Sequence, residues 1–181
     1  MLIWLYNIEI EVVRGDIIAQ KDIEAIVNAA NANLFPGGGV AGAIHKAAGS
    51  QLYEECRSLA PILPGEAVIT RAFDLPNKFV IHCLGPVYGK DKPEEELLAS
   101  CYSNSFRLCE ENKISSIAFP AISTGIFGYP PKEAVSVVFN TLLKEIKTLK
   151  HLKKIKFVLF SESDLRLYEA KLKEIEADRP I

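Results

Sequence analysis

The chain has 181 residues, of which 49% are hydrophobic and 24% are charged. These proportions are typical of one globular domain with a full core, and they exclude a disordered chain, a collagen-like repeat and a small disulfide-stapled scaffold. The 21 basic and 23 acidic side chains give a net charge of −2, which argues against nucleic acid as the main partner because phosphate binding needs an excess of basic residues.

The predicted elements alternate between strands and helices along the whole chain. Residues 1–6 are apolar without a preceding basic segment, which predicts a first strand and not a signal peptide. Apolar and β-branched runs predict further strands over 8–13, 25–27, 66–71, 79–84, 116–119 and 155–160. Helical spacing of apolar residues predicts helices over 39–48 and 93–111, a third that begins at Pro130-Pro131 and a last one capped by Ser163-Asp164. We therefore predict a single α/β domain over residues 1–181, with central strands buried on both faces.

Two features bear on the compartment in which the protein works. No apolar run approaches the roughly 18–20 residues that cross a bilayer, so we expect no membrane partner. The cysteines form no Cys-x-x-Cys pair and have apolar neighbours, which predicts buried free thiols and neither a metal site nor disulfides. Free thiols indicate a reducing compartment, and we expect the cytoplasm. The four cysteines are Cys56, Cys83, Cys101 and Cys109.

Two long segments, residues 25–44 and 114–131, carry no charged side chain. At 24% charged residues a stretch of 20 should contain about five, and six of the 11 glycines fall within these two segments. Each segment has the form of a buried strand, a polar or glycine-rich loop and then a helix. Because ligands of α/β sheets bind outside the carboxyl ends of the strands, we expect both loops, and the end of the 155–160 strand, at one edge of the sheet.

The glycines of both loops are placed to hold an anion through backbone N–H groups. Gly37-Gly38-Gly39-Val40 precedes one predicted helix, and residues 123–128 precede another. Glycines before a helix are often only turns, but two such loops at corresponding strand ends favour a ligand that bears phosphate. A diphosphate held from both sides is the simplest interpretation.

A dinucleotide site of the Rossmann type is the alternative for the first loop. Gly37, Gly39 and Gly42 satisfy the Gly-x-Gly-x-x-Gly pattern. That pattern requires a tight turn from strand to helix, whereas nine residues (28–36) separate the strand from the first glycine here. No acidic residue ends a second strand about 20 residues further on, and no Gly-Lys-Ser/Thr sequence is present, which argues against both a Rossmann site and a Walker A loop.

Three asparagines, Asn28, Asn31 and Asn33, follow the first of these strands. Asparagines at a strand end commonly form Asx-turns. Beside an anion loop, their paired donors and acceptors are also suited to sugar hydroxyls. The sequence leaves both interpretations open.

Five ordered runs together carry a resemblance to a known family. They are RGDI at 14–17, IVNAANANLFPGGGVAGAIHKAAG at 26–49, PGEAVIT at 64–70, FVIHCLGPVY at 79–88 and SIAFPAISTGIFGYP at 116–130. These runs resemble the macro domain family. The resemblance extends from about residue 11 to the last helix. It implies a three-layer α/β/α fold with a mixed central sheet, and a crevice on the sheet that binds ADP-ribose without a cofactor or metal.

The resemblance assigns the adenine end of this ligand to residues near the first and last strands. Asp16 would accept a hydrogen bond from the adenine amino group, and Ile17 would donate its backbone N–H nearby. Phe160 would pack on the adenine. A turn acid is the alternative role for Asp16, and core packing is the alternative for Phe160.

The resemblance assigns the diphosphate and the distal ribose to the two uncharged segments. Asn31 would bind the distal ribose hydroxyls, and in hydrolytic members this asparagine is required for activity; with Gly38 and Gly39 it forms the predicted catalytic set. Phe127 would also flank the distal ribose. The full set of predicted ligand-binding residues is Asp16, Ile17, Asn28, Asn31, Gly38, Gly39, Val40, Ser123, Thr124, Gly125, Ile126, Phe127 and Phe160.

One position departs from the hydrolases that the sequence resembles. MacroD-type hydrolases have Gly-Gly-Gly-Val-Asp-Gly, whereas this chain has Ala41 in place of the aspartate that activates or orients water. His45, four residues on, is retained; we expect a structural role for it, and a core or supporting role for His82. Viral macro domains share the Gly-Gly-Gly-Val-Ala-Gly form and hydrolyse ADP-ribosyl esters.

Three functions fit this pattern. The first is hydrolysis of an ester at the distal ribose, in mono-ADP-ribosylated Asp or Glu side chains or in O-acetyl-ADP-ribose. The second is a non-catalytic reader of ADP-ribose or ADP-ribosylated proteins. The third is a phosphatase acting on ADP-ribose 1″-phosphate. Asn31 favours the first function and Ala41 favours the second.

Overall fold

Strands and helices are interspersed along residues 1–178, the part of the chain that the computed structural model describes. The strands are β1 (Leu2–Leu5), β2 (Ile8–Arg14), β3 (Ala25–Ala29), β4 (Ala67–Arg71), β5 (Phe79–Cys83), β6 (Ser116–Phe119) and β7 (Lys154–Leu159). The helices are α1 (Gly39–Ala48), α2 (Ser50–Cys56), α3 (Glu94–Glu111), α4 (Pro131–Glu145) and α5 (Glu162–Ala177). Single turns of 3-10 helix occur at Ile17–Ala19 and Ile146–Thr148.

The strands form one mixed sheet in the order β1-β2-β7-β6-β3-β5-β4. The five inner strands are parallel to one another, and the two outermost strands, β1 and β4, run antiparallel to their neighbours. The carboxyl ends of all five parallel strands therefore lie at one edge of the sheet. This geometry brings together the loops after β3, β6 and β7, as the sequence predicts.

Helices cover both faces of the sheet and produce three layers. On one face α3, α4 and α5 bury an aromatic cluster whose centre is Phe119, with its ring centroid 4.9 Å from that of Tyr102 and 5.8 Å from that of Phe157. On the other face α1 and α2 pack Ile44 and Leu52 against the sheet. Apolar burial on both faces supplies the main driving force for this arrangement. The predicted α/β/α architecture with a mixed sheet is confirmed.

Three differences between the observed and the predicted elements are notable, beside small shifts at element ends such as β3, predicted over 25–27 and observed over Ala25–Ala29. The sequence did not indicate α2, which has seven residues and buries only Leu52 and Cys56. The last helix begins earlier than predicted, because the hydroxyl of Ser161, and not Ser163-Asp164, caps it by accepting a hydrogen bond from the Asp164 N–H at 3.1 Å. Strand β7 ends at Leu159, so Phe160 lies just beyond it.

All four cysteines are buried and free, as predicted. None of the helices within residues 1–178 is long and apolar enough to cross a membrane. The prediction of a single domain over 1–181 includes residues 179–181, which lie outside the described residues, and it stays a prediction.

Candidate functional site

A cavity of about 490 Å³ opens at the carboxyl edge of the sheet, between the loop after β3 and the loop after β6. No charged side chain and no histidine contributes to its wall. The cavity is therefore the place where the two uncharged segments meet. The predicted site residues that line it are Asn31, Gly38, Gly39, Val40, Ser123, Gly125, Ile126 and Phe127.

The loop after β6 presents a row of free backbone donors. Within the described chain, the N–H groups of residues 124–127 donate to no protein acceptor. The loop is closed behind them, since the Tyr129 N–H donates to the Ser123 carbonyl at 2.9 Å and the Gly128 N–H to the Gly125 carbonyl at 3.0 Å. Consecutive free N–H groups of this kind form a concavity that binds anions.

The first turn of α1 presents a second set of free donors across the cavity. Gly38 is the N-cap residue and has no side chain to bond the first N–H groups, and the helix bonds begin with the Gly42 N–H, which donates to the Gly38 carbonyl at 3.1 Å. The positive end of a ten-residue helix therefore faces the cavity without a neutralising side chain. Both loops can hold an anion without any cationic residue.

The Asn31 side chain holds the loop after β3. Its Nδ2 donates to the Phe35 carbonyl and its Oδ1 accepts from the Phe35 N–H, both at 2.9 Å. An amide has two N–H donors and a carbonyl oxygen with two lone pairs, so one donor and one lone pair stay available in a residue that lines the cavity. Asn31 thus bonds to its local backbone, but four residues on and not two as in the expected Asx-turn, and this leaves room for the sugar-binding interpretation.

Asn28 does not reach the cavity, although the sequence reading includes it among the ligand contacts. It is 1% exposed, and its Nδ2 lies 3.1 Å from Nδ1 of His82, the residue opposite it on β5. The physical reason is the strand alternation: Ile26, Asn28 and Ala30 face the layer of α1 and α2. Thr124 also lies outside the cavity wall, although its N–H belongs to the free row.

Asn28 belongs to a buried polar cluster whose members do not line the cavity. The ligand-type atoms of His45, Cys56 and His82 all lie within 4.8 Å of one another, and His82 Nε2 is 2.9 Å from the Thr70 hydroxyl. Burial lowers the pKa of His82 to about 3 and that of His45 in the same direction, and it raises the pKa of the Cys56 thiol to about 11.

These groups are therefore uncharged at neutral pH. His and Cys are the donors that zinc prefers, but His82 already shares both ring nitrogens with Asn28 and Thr70. The arrangement favours a neutral cluster in which His82 bonds to side chains from β3, α2 and β4. His45 lies beside it, with neither ring nitrogen hydrogen-bonded within the described residues. His82 is a core residue, as predicted, and His45 is buried outside the cavity wall.

Asp16 and Phe160 lie at the ends of the neighbouring strands β2 and β7. The Asp16 carboxylate accepts from the Ile18 N–H at 3.1 Å, so the turn role is observed, while the residue remains exposed. Phe160 is 88% exposed, which excludes core packing. Hydrogen bonds fix the two ends side by side, since the Gly15 N–H donates to the Leu159 carbonyl and the Arg14 guanidinium to the Phe160 carbonyl. Ile17, by contrast, is buried.

The order of the strands gives these features a linear arrangement. The ends of β2 and β7 carry Asp16 and Phe160, β6 leads to the row of free N–H groups, and β3 leads to Asn31. At about 4.8 Å per strand, the span from β2 to β3 is about 14 Å. An elongated ligand with an aromatic end, a diphosphate and a distal sugar matches this order.

Comparison with protein families agrees with the fold and the site. The family model described as "Macro domain" matches residues 27–138, which include α1 and most of both uncharged segments. This chain belongs to the macro domain family. The matched region contains the entire cavity wall of this macro domain.

Relatives and solved structures extend the match over nearly the whole chain. An O-acetyl-ADP-ribose deacetylase of Enterobacter cloacae is 44% identical, with 89% of this chain and 92% of that protein covered. Human ADP-ribose glycohydrolase MACROD2 is also 44% identical, and the match covers 92% of this chain but only 40% of that protein. A single-residue variant of the Oceanobacillus iheyensis macrodomain, solved with ADP-ribose, superposes with a TM-score of 0.93 at 40% identity, with 98% of this chain and 99% of that chain covered.

Proposed function

We propose that this macro domain binds ADP-ribose and hydrolyses ester-linked ADP-ribose, either from mono-ADP-ribosylated Asp and Glu side chains or from O-acetyl-ADP-ribose. The observation that carries the proposal is the pair of free N–H sets on the two sides of an uncharged cavity. A diphosphate is negatively charged. Preorganised N–H dipoles stabilise this charge, and the cavity wall has no anionic side chain that would repel it. The relatives named as a deacetylase and a glycohydrolase support the hydrolytic part.

The wall of the cavity limits how water can be activated. None of the residues that line it carries a titratable side chain, and Ala41 is among those that line it in the first turn of α1. The nearest base is then a phosphate oxygen of the bound substrate. For an Asp or Glu ester at C1″ of the distal ribose, water adds to C1″, the bond from C1″ to the carboxylate breaks, and the proton passes to the phosphate oxygen. A phosphate diester is a weak base, so we expect slow turnover.

The assigned residues have separate tasks in this step. The free N–H groups of residues 124–127 and of the α1 N-terminus fix the diphosphate, and Asn31 orients the distal ribose with its remaining donor and lone pair. Holding the reacting carbon against water lowers the entropic part of the barrier. Asp16 and Phe160 hold the adenine outside the enclosed cavity, so they contribute to affinity and not to the chemical step.

The decisive experiment uses a protein that carries mono-ADP-ribose on Asp or Glu. Wild type is incubated with the labelled substrate beside Asn31→Ala, and the release of label is followed. We expect release by wild type well above that by the variant. If wild type releases no more than the variant while ADP-ribose still raises its melting temperature, the protein is a reader, the alternative that the uncharged Ala41 position favours.

Affinity for ADP-ribose should depend only weakly on salt. Backbone dipoles in a cavity are screened far less than exposed charges, and no lysine or arginine lines the wall. Between about 50 and about 500 mM NaCl we expect the Kd, measured by isothermal titration calorimetry, to rise by less than about threefold. A tenfold or greater rise would show that cationic side chains outside the cavity carry the binding.

Two wider statements follow as proposals. ADP-ribosylated proteins are the partners that a site for ester-linked ADP-ribose would recognise, through the modification and not through a sequence. Four buried thiols without a disulfide fit a reducing compartment, and we infer that the protein acts in the cytoplasm.

A further inference from the structure

Ser123 is the strained residue of the candidate site. Its φ is +64°, in the left-handed region that non-glycine residues rarely adopt, and its hydroxyl is buried without a hydrogen-bond partner within residues 1–178. Both features lower the stability of the folded state. Such a conformation is retained only where the surrounding structure enforces it. Ser123 also directly precedes the row of free N–H groups of residues 124–127.

Gly85 explains how Ser123 is held. It follows β5, is buried and lines the cavity next to the start of the loop after β6. A Cβ atom on Gly85 would overlap the Ser123 hydroxyl oxygen and would come within 2.7 Å of Ile122 Cγ2. The Gly85 backbone has no left-handed φ, so the need for glycine is steric. The Ser123 hydroxyl occupies the space that a side chain at position 85 would fill.

We propose that Gly85 is a positioning residue for ligand binding. The space left by its absent side chain, called the socket below, holds the Ser123 hydroxyl and thereby orients the free N–H groups of residues 124–127. This inference rests on the proposed function, since it names how the diphosphate loop of that site obtains its shape. A left-handed residue at the start of a loop turns the following N–H groups toward one side, which is the geometry of an anion-binding concavity. Filling the socket pushes Ser123 outward and rotates those groups away from the diphosphate.

The test compares four variants by calorimetric titration with ADP-ribose. Gly85→Ala fills the socket, Ser123→Gly removes the hydroxyl and accepts a positive φ without strain, and the double variant combines the two changes. Leu172→Ala, at a fully buried residue of α5 that does not line the cavity, lowers stability without changing a cavity residue. We expect Gly85→Ala to weaken binding by about tenfold or more, Leu172→Ala by less than about threefold, and the double variant to bind more tightly than Gly85→Ala, with Ser123→Gly as the reference for the double variant.

The outcomes separate this inference from the proposed function. Wild type that does not bind ADP-ribose contradicts the proposed function itself. Wild type that binds, with a Gly85→Ala variant within about threefold of it, overturns the socket while leaving the function intact. The socket is also overturned if Leu172→Ala weakens binding as much as Gly85→Ala at equal loss of melting temperature, or if the double variant binds no better than Gly85→Ala. Amide NMR shifts of residues 124–127 in the ligand-free protein provide a second readout, and we expect Gly85→Ala to move them.

Discussion

Replacing Asn31 with alanine is expected to lower the rate of ester hydrolysis by about 100-fold or more, the effect of removing one oriented polar group from a preorganised site. Two losses contribute. The remaining amide donor and lone pair, which would hold the distal ribose, disappear. The two hydrogen bonds to the Phe35 backbone disappear as well, so the loop that leads to Gly38 is no longer tied at its start.

Two further variants are compared with Asn31→Ala. Asn33 is exposed, two residues further along the same loop, and Asn33→Ala should leave the rate within about twofold of wild type. Asn31→Asp keeps the oxygen that accepts from the Phe35 N–H but loses the donor to the Phe35 carbonyl. Single-turnover release and ADP-ribose affinity are measured for all three variants. We expect the rate for Asn31→Ala to fall more than the affinity, and an Asn31→Ala variant that retains a third of the wild-type rate would contradict the assigned role.

The sequence predicts the first uncharged segment well because its signals are local. Glycines mark the start of α1 and its end, where Gly49 has a φ of +88°, and apolar residues at helical spacing fill the interval. The predicted range 39–48 is the observed one. The meeting of the two loops at one edge also follows, since it depends only on parallel strands with helical connections.

The orientation of Asn28 is less accessible to sequence reasoning. A strand buried on both faces lacks the alternation of polar and apolar residues that marks an outward side, so the Val27-Asn28-Ala29 sequence does not show which way the amide points. The available signal is the alternation of side chains along a strand, which places Asn28 on the same side as Ile26 and Ala30. Asn31 lies beyond the strand, in the loop. His82 opposite Asn28 becomes visible only when β3 pairs with β5.

The contact between Gly85 and Ser123 leaves no signal in the sequence. The two residues are far apart along the chain, and each has an ordinary local explanation, a strand-ending glycine and a loop serine. Only the packing of β5 against the loop after β6 shows that one residue fills the space the other leaves. Helix α2 was missed for a different reason, since seven residues with two buried side chains are too few to establish a helical period.

Replacing Ala41 with aspartate is expected to raise the hydrolytic rate by about tenfold or more, because a positioned general base contributes at least that much to a proton transfer. Ala41 lines the cavity in the first turn of α1, where the helix terminus favours an anionic side chain. The carboxylate would accept the proton of the attacking water in place of the weakly basic phosphate. It would also repel the diphosphate, so we expect weaker affinity for ADP-ribose together with the faster chemical step.

Asparagine at the same position separates base chemistry from shape. Ala41→Asn adds a side chain of nearly the same size and polarity as aspartate, but one without a group that takes up a proton. It should therefore not raise the rate. The gain in the aspartate variant should vanish as the pH falls through the pKa of the new carboxyl, because only the ionised form accepts a proton. Equal rates for both variants would mean that proton acceptance does not limit turnover in this cavity, and that the free backbone donors and Asn31 alone set the rate.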